Sequence, residues 1–318
     1  MKQRDGTFDV MKGIGILAMI IGHSPIPLLL KDAIYTWHMP LFFLISGYFY
    51  RQKPSKECVK ANFRQLFIPY IVTSLVILIC AAIKEAINGK DDCFFRLCAM
   101  LVGSGLPQNP MLGKYSIGAI WFLQALFWCR IVFNILHIKI HDIANLRWIV
   151  FTLSSIATYV GLYVFIPTNI LQGFQALLFF HIGHEAKCHD VVYNRLNLTV
   201  TLLILLLCFL SIWNGSIYMV NNHYGYWPIN IGAATGITFL ILKFSQKIKK
   251  NRFLIYCGRT SMAILCVHIV LLTYFPLTTI HKMIAFPDYY DTLINLITTL
   301  CVTWVILKMS IIRKLFLC

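Results

Sequence analysis

The chain has 318 residues, of which 58% are hydrophobic and only 13% charged, with a formal net charge of +16; the mean hydropathy is +0.72. Length alone would suggest about two soluble domains, but this composition excludes that and calls for a polytopic membrane protein. The positive balance does not point to nucleic acid, because the cations gather in the segments between apolar runs, where they set orientation.

The first predicted span, about residues 10–29, is the stretch around which the chain is organised. It carries Lys12 near one end and His23 near the other. Eleven residues are about three helical turns, so both face nearly one direction, roughly 16 Å apart along the axis. An ionisable group inside an apolar span is costly and marks a candidate site, although a histidine satisfied by a neighbouring helix is the plain alternative. Asp9, three residues before Lys12, is spaced to pair with it on the helix surface. The acidic and basic residues ahead of the apolar run, and the lack of a small-residue cleavage site after it, are unlike a signal peptide.

The second predicted span covers about 35–50 and includes WHMPLFFLISGY. His38 follows the loop that contains Pro25 and Pro27, so two histidines are expected at similar depth on adjacent antiparallel helices. Eight more spans are predicted at about 66–86, 117–136, 147–166, 170–186, 197–213, 227–243, 257–277 and 292–312. The second and sixth are short for a crossing of about 30 Å. With the N-terminus in the cytoplasm, 22 of the 28 Lys and Arg fall on the cytoplasmic side. The expectation is one domain over 1–318: an all-α, polytopic membrane helix bundle of about ten transmembrane helices, with both termini cytoplasmic.

The longest loop, about 87–116, contains VGSGLPQNP and reads as a lid or re-entrant element. Cys93 and Cys98 lie in it and could pair in an oxidising compartment. HIGHE, with His181, His184 and Glu185, has the look of a metal cluster, but it is not H-E-x-x-H, and zinc needs three or four converging ligands. No metal is expected.

Several motifs together resemble one family. Asp9-x-x-Lys12-Gly13 followed by Gly22-His23, then WHMPLFFLISGY, then FRQLFIPY at Phe63–Tyr70, is similar to the acyltransferase 3 family of integral membrane acyltransferases, and to its fucose 4-O-acetylase-like branch. AIWFLQALF at Ala119–Phe127 and GRTSMAILCVH at Gly258–His268 resemble its later segments. The family pattern has a basic residue, ten intervening residues and a histidine. Arg is common at the first position and Lys12 stands there in this chain, a point charge without the planar fork.

The resemblance implies transfer of an acyl group, typically acetyl from acetyl-CoA, to a hydroxyl of a saccharide or lipid-linked glycan of the cell envelope. It also implies a multi-pass protein of the cytoplasmic (inner) membrane. In this reading His23 is the base, His38 orients it or holds the acceptor, and Lys12 and Arg64 bind the donor. Asp9, His268, Trp121 and Tyr70 are possible supporting residues. An acyl-histidine intermediate is the covalent variant. A transporter or flippase of a lipid-linked sugar is the competing class, but paired broken helices in two related halves are not visible.

Overall fold

The computed structural model describes residues 5–89, 93–105, 112, 115–275 and 289–316. Lys2, Arg4, Lys90, Lys114, Lys282, His281 and the Leu106–Pro110 part of the long loop lie outside the described residues. The described chain is helical throughout, with a single isolated bridge between Tyr218 and His223. A membrane-compatible backbone must satisfy its polar groups within each segment, and helices do this.

α1 (Thr7–Gly22) holds Asp9 and Lys12 and ends on His23, whose backbone N–H reaches back to Met19 O and Ile20 O. The predicted opening span runs too far. Pro25 and Pro27 stop the helix, and Pro27 caps the start of α2 (Leu28–Tyr48). α2 therefore has 21 residues and is not short, and Pro40 sits inside it. His38 is accordingly well inside a helix and not at its mouth.

α3 (Ser55–Asn62) runs through a π turn at Phe63–Phe67 into α4 (Ile68–Asn88). Gly89 closes α4 with φ 65°, a conformation that favours glycine. Within the long loop lies α5 (Cys93–Val102), and its two cysteines are free. α6 (Trp121–Lys139), α7 (Ile143–Val160), α8 (Ile170–Gln175) and α9 (Leu177–Cys188) follow. Then come α10 (Leu198–Trp213), α11 (Trp227–Lys247), α12 (Arg252–Arg259) and α13 (Ser261–Tyr274). α14 (Tyr289–Ile306) and α15 (Ser310–Phe316) end the described chain.

Among the described residues, five helical stretches are long and apolar enough to cross a membrane: Leu28–Tyr48, Ser55–Ile87, Gly118–Lys139, Ile143–Val160 and Trp227–Lys247. The α12–α13 pair, bent by 73°, and the α14–α15 pair, bent by 113°, raise that to seven. α1 and α10 are shorter, at 16 residues each. The outer faces carry exposed large apolar residues, among them Leu75, Ile79 and Ile83 on α4 and Leu202, Leu206 and Phe209 on α10. Such faces suit lipid.

Between helices in lipid, close packing does the work that water exclusion does elsewhere. Two contacts show it. A Cβ on Gly258 would overlap Asp9 O, and one on Gly13 would overlap Leu254 O, so α1 and α12 touch backbone to backbone. Gly47 of α2 and Gly183 of α9 meet the partner helix's Phe180 and Leu44 carbonyls in the same way.

Candidate active site

The site has two ends joined by α1. At the first, Asp9 is buried at 1% exposure and takes two cations: Lys12 Nζ stands 3.4 Å from Oδ1, and Arg259 Nε donates to Oδ2 at 3.1 Å. The glycine contact at Gly258 is what lets Arg259 arrive there, since α12 could not approach Asp9 with a side chain in between.

From this end a cavity of about 770 Å³ runs into the bundle between α1, α2, α6 and α13. Asp5, Asp9, Lys12, Ser46, Gln65, Arg130 and Ser261 are among its polar lining, and Ile16, Met19, Met39, Phe122, Leu126 and Leu265 form much of its apolar wall. The size is that of a small-molecule or cofactor site, typically about 300–1,000 Å³.

Arg130 is the residue that sequence reasoning missed. It counts among the 22 cytoplasmic-side cations of the sequence, yet it lines the cavity. Its Nε donates to Ser46 Oγ at 2.8 Å, and Nη1 donates to Asn62 Oδ1 at 3.1 Å and to Gln65 Oε1 at 3.3 Å. Neutral acceptors orient a guanidinium without cancelling its charge, which leaves it able to attract an anion. The signal was present in the sequence: an arginine within WFLQALFWCRIVF, an otherwise uncharged run.

At the second end, His23 is half-buried and its ring stacks on His268, with centroids 5.5 Å apart and an interplanar angle of 30°. His23 Nδ1 lies 3.1 Å from Met19 Sδ. A thioether can only accept, so Nδ1 carries the proton in this contact and Nε2 keeps the lone pair. His268 is 1% exposed, its Nδ1 faces Thr299 Oγ1 at 3.4 Å, and among the described residues its Nε2 has no hydrogen-bond partner.

Tyr35 connects the two histidines of the opening helices. Its ring lies 6.2 Å from His23 and 5.0 Å from His38. His38 Nδ1 donates to Ile34 O at 2.9 Å, which again leaves Nε2 as the acceptor of a neutral ring. Beyond Tyr35, the Tyr218 ring stands 4.9 Å away and its hydroxyl donates to Asp32 Oδ1 at 2.8 Å. Burial, and the Asp32 carboxylate it binds, push the Tyr218 phenol above its ordinary value.

His23 does not line the cavity. Met19, Met39 and Leu265 line the cavity, and the Met19 thioether touches the imidazole.

The structure thus brings together Asp9, Lys12, His23, His38 and His268 along one column. Arg64 is exposed on the π turn and outside the cavity lining, next to Gln65, which is part of it. Tyr70 is buried, and its hydroxyl donates to Met100 O at 2.5 Å, tying α4 to α5. Trp121 is buried at the start of α6 and packs edge-on against Phe122. HIGHE does converge: ligand atoms of His181, His184 and Glu185 all lie within 4.8 Å of one another.

A bundle of apolar helices with cations at one end of an internal cavity and imidazoles beyond the other suits a membrane enzyme of group transfer. Residues 5–308 match the family described as Acyltransferase domain, and the chain belongs to it: the acyltransferase 3 family of multi-pass membrane acyltransferases. Nodulation protein NolL of Sinorhizobium fredii (strain NBRC 101917 / NGR234) is 30% identical over 135 residues, which are 38% of this chain and 34% of that protein. The matched stretch spans about a third of the relative. No solved structure matches.

Proposed function

We propose that this acyltransferase moves an acyl group, most simply acetyl, from acyl-CoA to a hydroxyl of a saccharide or lipid-linked glycan of the cell envelope. The carrying observation is the column of Lys12, the cavity, Met19 and His23. The phosphates of the donor are held at the cation end by Lys12 and Arg130, with Arg64 near the mouth, and its thin arm follows the apolar wall towards Met19. Asp9 is shared by Lys12 and Arg259 and fixes the lysine without neutralising both cations.

In the chemical step, His23 Nε2 takes the proton of the acceptor hydroxyl as its oxygen attacks the thioester carbonyl carbon. The carbon–sulfur bond breaks, and the imidazolium returns the proton to the leaving thiolate. His268, stacked on His23, and His38, behind Tyr35, position that ring and the acceptor. For this to happen Met19 must turn aside, which an unbranched thioether does at small cost. The sugar is placed at Tyr35, Tyr218 and Asp32, whose aromatic faces and carboxylate suit a polyhydroxylated ring. In this reading ten spans place both termini in the cytoplasm of a cell whose inner membrane holds the protein, so the donor enters from the cytoplasm and the acceptor from outside.

The test is transfer of label from radiolabelled acetyl-CoA to envelope glycan by purified protein in lipid vesicles. Label on the glycan that is lost in His23→Ala, while the variant stays monodisperse, supports the reading. Unmodified glycan crossing the bilayer would instead favour a flippase, and label transfer unaffected by the substitution rules out His23 as the base.

A further inference from the structure

Away from the reaction column, imidazoles gather where the C-terminal ends of α6 and α9 meet. His181, His184 and Glu185 project from one face of α9, at spacings of three and four residues. Their ligand atoms lie within 4.8 Å of one another. Atoms held about 2 Å from a common ion are at most about 4 Å apart, so side-chain movement of roughly an ångström closes the set. His181 is 4% exposed, and among the described residues neither of its ring nitrogens has a hydrogen-bond partner; His184 Nδ1 is likewise buried without one. Burying such groups unsatisfied is costly, and a cation that takes their lone pairs removes the cost.

A second helix reaches the cluster. The His137 ring of α6 stands 5.2 Å from His184. Its Nδ1 is engaged with Gln52 Oε1 at 3.1 Å, which leaves Nε2 for a ligand. Glu185 has one oxygen already held: Oε2 pairs with Arg147 and lies 3.4 Å from His189 Nε2. Oε1 remains, 4.0 Å from His181 Nε2. A carboxylate fixed through one oxygen and free at the other is a usual feature of metal ligands and their outer partners. The rings of Phe133 and Tyr50 flank His184 at 5.6 Å each and wall the cluster.

We infer that this cluster binds one divalent transition-metal ion of the zinc class, with His181, His184 and Glu185 as its core ligands and His137 as the ligand that ties α6 to α9. Three imidazoles and a carboxylate suit Zn²⁺ and Co²⁺ and are a poor set for Mg²⁺ or Ca²⁺. With ligands from two helices the ion acts as a clasp on the bundle, independently of the acyl-transfer chemistry.

The experiment uses the full chain purified in detergent without a polyhistidine tag, stripped with chelator and titrated with Co²⁺. Expected are about one Co²⁺ per chain with visible ligand-field bands, displacement of those bands by Zn²⁺, and a melting temperature that rises with the ion. His184→Gln and His181→Gln are each expected to weaken binding by more than about 30-fold, and His137→Gln by about 10-fold, the scale on which metal-site partners act. His223→Gln, remote from the cluster, is the control and leaves binding unchanged. Wild-type protein that gives no ligand-field bands overturns the inference. So does Co²⁺ binding undiminished in His184→Gln, the variant that decides the matter if His181→Gln fails to fold.

Discussion

The two ends of α1 solve opposite electrostatic problems. At the Asp9 end, charge is concentrated and balanced by position: among the described residues a buried carboxylate meets Lys12 and Arg259, and Arg130 is held by neutral acceptors. At the His23 end the charges sit on the phenols: Lys31 lies over the Tyr35 ring at 5.7 Å and Asp32 accepts from Tyr218. Imidazoles and phenols stack, and each ring nitrogen that is satisfied is satisfied by a neutral atom. Under the proposed function, the contrast assigns the first end to holding an anion at rest, and the second to gaining and losing a proton during the reaction.

That contrast can be broken from either side. The largest effect is expected at the imidazole end: His23→Ala should lower kcat by about 10³-fold, within the usual range for a positioned acid–base group, while KM for acyl-CoA changes little. At the cation end the order reverses. Arg130→Gln removes a charge-assisted contact worth about 1.5–3 kcal/mol, so KM for acyl-CoA should rise by about 10- to 100-fold with kcat nearly kept. Steady-state kinetics on both variants separates the two ends; a shared loss in kcat alone would erase the distinction. Smaller and different in kind is Asp9→Asn. It removes the carboxylate charge from Lys12 and Arg259, which are partly exposed, so the loss should be only about 1–2 kcal/mol, read as a fall in thermal stability that added acyl-CoA offsets in part.

The sequence carried the first end and half of the second. Lys12 and His23 are legible because their spacing on one helix needs nothing but helical periodicity. Pro25 and Pro27 announced a break, but the helix they start is longer upstream than hydropathy suggested, since Leu28–Leu30 continue it as an exposed apolar turn. The stack of His268 on His23 was not legible: it depends on the 73° bend between α12 and α13, which brings the far end of the chain back to α1. Arg130 reads in the sequence as one of the cytoplasmic-side cations, and only packing against Ser46, Asn62 and Gln65 reveals it as a cavity residue. The histidines of α9 were noticed, but His137 joins them only through the contact between two helices.

The thioether of Met19 has a consequence for the cell as a whole. Under the proposed topology Met19 lines the chamber that faces the cytoplasm, and its thioether touches the half-buried imidazole beyond. Shortening that side chain should therefore be felt as conductance as well as catalysis: vesicles holding Met19→Gly are expected to dissipate an imposed proton gradient faster than wild-type vesicles. Tightness against protons then becomes a constraint on how freely this enzyme can admit its own donor.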